Sequence, residues 1–368
     1  MADSTQVSIA AAGQLLTIFA VTNAIGTPFV LMISSRFGKR FQLMTGLVIM
    51  CVGMAGMAFF QDYISLMATR ALMGLGHGLF VATSYAMADR LADKGHEGQA
   101  MGDVALGFSA AYVLGIPIGR FIADFMGWHA IYVCLACFAC ILIPVIARCM
   151  PKTPGVAVLS FLDQIAPLRK PRIVVALSMT FLTFVAFSLF NSYITPYLNG
   201  FVSDNTSLVS CILLLVGLMS VIGTRAGGHF ADKRGAHITI IAGLVLQIIP
   251  FIFLCGLFPP LAIVVVLLCI WMTARWSFLP AQNLNLVQLA PEQPTVVIGL
   301  SNSFLQLGNA AGSALGGLVV AQISVNALVE FNIGINIVCL IVGIVLFAFV
   351  DGWKRHSHYA SSHGSKLG

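Results

Sequence analysis

The residues of this chain with the most chemistry to offer are ionisable side chains inside long apolar stretches. Arg70, Arg120, Arg225 and Arg275 sit within such stretches, where a charge is expensive and a cavity or a partner is expected beside it. His77 stands between Gly76 and Gly78. It titrates near neutral pH and is able to carry a proton, or to serve as a hydrogen-bonded packing residue. Arg275 and Trp276 place a cation that suits an anionic or strongly polar group beside a ring that stacks on a flat face. Gln282 and Asn283 follow with donors and acceptors, and Asn191, Tyr193, Asn302 and Gln306 are able to line the same cavity. Each amide alone fits interhelical hydrogen bonding as well, and so do Asn23 and Gln14.

Other chemistries fit poorly. Cys134, Cys137 and Cys140 share a helical face at a spacing of three. No His or carboxylate joins them, so they read as small packing residues and not as a metal site. No nucleophile–base pair falls at the centre of an apolar run, which argues against an enzyme, and no metal or organic cofactor is implied. Acidic residues are equally informative. Asp89, Asp103, Asp124 and Asp232 all lie near the ends of apolar runs. A carboxylate at the place of Asp232 can meet the positive N-terminal end of another helix, or an Arg.

Positioning these residues requires a membrane fold. Hydrophobic residues make up 59% of the chain and charged residues 9%, against about 25% charged in soluble domains. Eleven apolar segments lie near 9–33, 41–60, 64–88, 98–124, 128–148, 172–198, 207–230, 238–257, 260–288, 295–321 and 327–350. Each is long enough to cross a bilayer core. Strand-like alternation is absent, so the expected class is an all-α polytopic membrane protein and not a barrel. No cleavable signal peptide is visible at the start.

The net charge of +6 reflects orientation and not nucleic-acid binding. Alternate connections hold Arg36, Lys39 and Arg40; Arg90 and Lys94; Arg148, Lys152, Arg169, Lys170 and Arg172; Lys233 and Arg234; and Lys354, Arg355 and Lys366. The intervening connections hold none. The positive-inside rule puts the charged side, with the C-terminus, in the cytoplasm.

The chain also repeats. Aligning Gly38 on Gly235 sets an offset of 197, and six of the sixteen other glycines up to Gly155 then meet glycine, where about 1.5 would do so by chance. Two bundles are expected: 1–148 and 172–351, with a basic central loop at 149–171 and a tail at 352–368. At this offset Met1 meets Leu198, so 172–198 has no counterpart. A twelve-helix design with its first helix absent is the expectation.

Two turns mark the repeat. Gly228, Asp232, Lys233 and Gly235 form the second, and Arg36 and Gly38 belong to the first, where Leu31 and Ser35 replace the Gly and Asp of the pattern. With Arg70-x-x-x-Gly74-x-Gly76 and with Gly107, Gly115, Pro117 and Gly119, the chain resembles the major facilitator superfamily. Ala12-Gly13-Gln14-Leu15, Pro280-Ala281-Gln282 and Gln306-Leu307-Gly308-Asn309 look like its drug:proton antiporter branch, bacterial sugar- and purine-efflux permeases above all. The resemblance covers nearly the whole chain.

It implies a monomeric multi-pass carrier of the bacterial cytoplasmic membrane that exports a small polar metabolite or drug in exchange for protons. By the same resemblance Asp232 locks the halves in the outward-open state, with a weaker lock at Ser35, and Arg70 tunes an acidic neighbour in a proton relay. Relatives often place that acid in the first helix, which leaves His77 as a substitute. Gly107, Gly115, Pro117 and Gly119 let their helix bend and pack tightly, with Gly308, Gly312, Gly316 and Gly317 as a matching surface. The alternative is a membrane sensor or partner subunit that no longer transports.

Overall fold

In a computed structural model the described residues are 9–154, 165–202, 206–255 and 259–364. Gly155, Lys366 and most of the central loop lie outside them. Every regular element among the described residues is a helix. The helices are α1 (Ile9–Ser34), α2 (Lys39–Phe59), α3 (Tyr63–Leu91), α4 (Glu97–Ala110), α5 (Ile116–Met126), α6 (Trp128–Cys149), α7 (Pro171–Asn191), α8 (Ile194–Val202), α9 (Thr206–Arg234), α10 (Ala236–Leu254), α11 (Leu261–Leu289), α12 (Pro294–Gln322) and α13 (Ala327–Gly364).

They make eleven passes. Two expected helices are broken: 98–124 by a π-turn at Ala111–Gly115 between α4 and α5, and 172–198 at Ser192–Tyr193 between α7 and α8. Ten described segments are long and apolar enough to cross a membrane. The last helix continues past 350 to Gly364, into the stretch expected as a tail.

Local chemistry sets the boundaries. Asp62 caps α3, its carboxylate accepting from the Ser65 amide at 2.8 Å. Hydrogen bonds from the Ser65 side chain and then from its amide hold the Asp62 carboxyl below the usual carboxylate range. Gly127 and Gly235 turn between helices at φ 79° and 88°, conformations that side chains with a Cβ rarely adopt.

The packing order repeats. α1 and α2 pack on α3 as α9 and α10 pack on α11, and α2 meets α6 as α10 meets α13. Across the bundles α12 packs on α1 and α3, just as α4 packs on α9 and α11. Helix α7 packs on α12 and α13, and no described helix stands in the equivalent place beside α4–α5 and α6.

That difference alters the glycine faces. On α12, added Cβ atoms at Gly308 and Gly316 would lie 2.6 and 2.7 Å from backbone oxygens of α7 at Phe181 and Leu189. Gly115 and Gly119 are the repeat equivalents of Gly312 and Gly316, yet the nearest atoms to their added Cβ atoms lie at 3.9 and 4.0 Å. Gly107 has open space. The expected tight packing at these three glycines is therefore corrected: the bend is there, as the π-turn, but no helix presses on that face. The side chain of Pro117 lies outside the described set.

Candidate functional site

A cavity of about 210 Å³ lies between the bundles. His77 and Tyr85 of α3 and Phe108 of α4 line it from one bundle. Phe184 and Phe187 of α7, Trp276 and Asn283 of α11, and Ser301, Asn302, Gln306 and Asn309 of α12 line it from the other. The wall thus combines aromatic faces with amides and hydroxyls. Among the described lining residues there is no Asp, Glu, Lys or Arg.

His77 reaches this wall because glycines let its helix close on its neighbours. A Cβ at Gly76 would meet the Gly46 carbonyl of α2 at 2.7 Å, and one at Gly74 would meet the Phe19 carbonyl of α1 at 2.6 Å. The imidazole then lies beside Phe19 and Phe108, with ring centroids 5.4 and 6.2 Å away. Its Nδ1 is 2.6 Å from Asn23 Nδ2. Asn23 is fully buried and accepts, through Oδ1, a bond from Asn302 Nδ2 of the other bundle at 2.7 Å.

Of the eight expected substrate contacts, four line the cavity: Trp276, Asn283, Asn302 and Gln306. Gln282 does not. Its Nε2 donates to the Ala176 carbonyl at 2.5 Å and to Thr180 Oγ1 at 3.3 Å, tying α11 to α7. Tyr193 donates to the Ser313 carbonyl at 3.3 Å and packs on Gly316 and Gly317. Asn191 ends α7 away from the lining residues.

Arg275 is also displaced. It is buried, with its guanidinium 3.9 Å from the Phe184 ring centroid and 5.0 and 5.9 Å from those of Phe187 and Phe278. Cation–π attraction holds it there, and Phe184 and Phe187 stand between it and the cavity. Arg70 likewise faces away from the cavity wall: it donates to the Tyr132 hydroxyl of α6 and lies over that ring at 5.3 Å. No Asp or Glu bridges it among the described residues.

At the charged end the two bundles meet. Asp232 accepts from the Gly98 amide at 2.6 Å and the Gln99 amide at 2.8 Å, at the N-terminus of α4 in the opposite bundle. Unsatisfied amides and the helix dipole both favour a carboxylate there. Gly228 permits the approach, since a Cβ on it would run into the Gly98 carbonyl, and a Cβ on Gly98 would lie 2.7 Å from the Gly228 carbonyl. Lys233 is exposed beyond the contact. Deeper in, Ser109 meets Thr224 Oγ1 at 2.8 Å.

On the other seam the pattern differs. Ser35 donates to Met32 of its own helix at 2.8 Å, and Lys39 Nζ instead crosses to Thr295 Oγ1 at 2.7 Å. Gly38 packs against the Thr153 carbonyl, while Arg36 lies over Phe37 at 4.8 Å. The sequence reading missed Lys39, which it counted only as a loop charge, and Asn23, which it gave only a helix-tying role.

A family model for the Major Facilitator Superfamily matches residues 1–313. The chain belongs to the major facilitator superfamily. Superfamily relatives include the "Uncharacterized MFS-type transporter YbcL" of Bacillus subtilis, 30% identical over 341 residues, covering 93% of this chain and 87% of that protein. The "Probable sugar efflux transporter" of Mannheimia succiniciproducens is 26% identical over 349 residues, covering 94% and 87%. Among solved structures, the human organic anion transporter MFSD10 (TETRAN) superposes with a TM-score of 0.76 at 20% identity, covering 90% of this chain and 83% of that one. At that identity the likeness concerns the fold. As a superfamily member the chain is a multi-pass membrane transporter, and the described residues hold no group of three His, Cys, Asp or Glu able to bind a metal.

Proposed function

We propose that this transporter exports a small, uncharged polar molecule across the bacterial cytoplasmic membrane in exchange for protons. The observation that carries this reading is the cavity between the bundles, closed at the charged end by Asp232 on the α4 N-terminus. The charged end is cytoplasmic by the positive-inside rule, so the closed face is the inner one. Rocking of one bundle against the other then exposes the cavity to each side in turn.

The wall supports the substrate class. Amides and hydroxyls at Asn283, Ser301, Asn302, Gln306 and Asn309 offer paired donors and acceptors, and Trp276 and Phe108 offer faces for stacking. No charge among the described lining residues selects for an ion, and Arg275 is engaged by its aromatic cage. The printed name of the Mannheimia relative is consistent with a sugar-sized molecule. His77 and Tyr85 are the titratable groups among the described lining residues, and of the two only the imidazole has a ring nitrogen that accepts a proton. His77 is therefore the residue assigned the proton.

Export is tested in inverted vesicles loaded by a panel of sugars, nucleobases and drugs. Accumulation of a neutral polar substrate is expected with an imposed pH gradient, and collapse of that accumulation when the gradient is dissipated. Gradient-independent equilibration would remove the antiport reading, and binding without flux would favour a sensor.

A further inference from the structure

We infer that Asn23 is the positioning residue that converts a proton on His77 into separation of the two bundles, through its bond to Asn302. The inference rests on His77 as the proton site and adds to it a direction and a route.

The route follows from donor and acceptor bookkeeping at three adjacent groups. Asn302 Nδ2 donates across the bundles to Asn23 Oδ1 at 2.7 Å. Asn23 Nδ2 faces His77 Nδ1 at 2.6 Å. An amide nitrogen only donates, so His77 Nδ1 accepts and the neutral ring carries its proton on Nε2. A proton taken from cavity water adds to the Nδ1 lone pair and turns that atom into a donor. Two donors then face each other. Asn23 resolves the clash by rotating its amide and presenting Oδ1 to the imidazolium. Its Nδ2 now faces Asn302 Nδ2, another donor, and the bond between the bundles is lost. One proton thus removes one cross-bundle hydrogen bond at a buried site, where an unmet donor is costly.

The surroundings make Asn23 a tight coupler. Gly74 lets α3 approach the backbone at Asn23, an added Cβ lying 3.1 Å from its main-chain nitrogen, and Ser303 Oγ ties α12 to the Ala24 carbonyl at 2.7 Å. Among the described residues, the helices around His77 place no second imidazole and no carboxylate on the cavity wall. From Leu15 to Ser34 α1 has no Asp, Glu, His, Lys or Arg, and neither has α12. α2 brings Lys39 and Arg40 at its charged end, and Cys51, which faces Cys140 at 3.4 Å. α4 presents Phe108 to the ring and holds Glu97 and Asp103 nearer the charged end. On the same pass the side chains of Arg120 and Asp124 lie outside the described set. On α3, Arg70 is engaged by Tyr132, Tyr85 lines the same cavity, and Asp89 and Arg90 lie at the charged end.

The direction suits antiport. Neutral His77 keeps the charged end closed, and protonated His77 releases it, so a proton bound from outside returns the carrier inward.

The test uses the full chain in nanodiscs, with the nine native cysteines replaced and spin labels on Arg36→Cys and Glu292→Cys, both exposed at the charged end. Acidification should shift the label distances from short to long with a one-proton slope. His77→Gln should abolish that shift. Asn23→Asp accepts from both the imidazolium and Asn302, so it should stay short across the range. Asn23→Leu should be pH-insensitive with fewer short distances. A pH shift that survives His77→Gln would remove His77 as the proton site. A shift lost in His77→Gln but unchanged in both Asn23 variants would overturn the role of Asn23 alone.

Discussion

The two turns related by the 197-residue repeat each meet the opposite bundle, but with different parts. At the second turn Asp232 reaches across to backbone amides of α4. At the first turn the equivalent Ser35 bonds within its own helix, and Lys39 crosses to Thr295, whose repeat equivalent is Gly98. The aligned glycines differ too. Gly235 is needed for its positive φ of 88°, whereas Gly38 has an extended backbone and is needed because the Thr153 carbonyl fills the place of a Cβ. A duplicated pattern conserves where a contact is made more strictly than the chemistry that makes it. One seam is a charge against a helix dipole, the other a cation against a hydroxyl, and on the proposed function the first should be the stronger closure.

Four substitutions break or sharpen that contrast, each read as the distance between labels at positions 36 and 292. Gly228→Leu should have the largest effect, because its side chain collides with the Gly98 backbone. Overpacking of about 1–3 kcal/mol would lower the closed population by roughly 5–150-fold. Asp232→Asn keeps the shape but loses the charge, and should cost about 1–2 kcal/mol of closure. Lys39→Met should cost less, about 0.5–1.5 kcal/mol, as expected for one bond to a neutral acceptor. Ser35→Asp should act in the opposite sense and add about 0.3–1 kcal/mol by placing a carboxylate near the N-terminus of α12. Equal effects of Asp232→Asn and Lys39→Met would show that the seams are equivalent after all.

Much of this was legible in the sequence. Long apolar runs and alternating basic connections specified the passes, and glycine spacing exposed the repeat. The turn around Asp232 placed a carboxylate at a helix end, where its partners could be named in kind. What escaped was direction around each helix. Arg275 and Trp276 are neighbours in the chain, yet only Trp276 faces the cavity, since adjacent residues on a helix point about 100° apart. Asn23 was readable as a helix tie, and it is one. That its two partners sit on different bundles depends on three helices meeting, which no local pattern encodes. Gly115 and Gly119 carry the spacing of a packing face, but spacing does not say whether a neighbour is present.

Closure at one end should accompany opening at the other, and this coupling is measured most directly by two label pairs in the same preparation. One pair spans the charged end at positions 36 and 292, and the other spans the opposite end at positions 62 and 323. On Asp232→Asn the first distance should lengthen and the second shorten together. Lengthening at the charged end with no change at the other would contradict a carrier that rocks around a shared cavity.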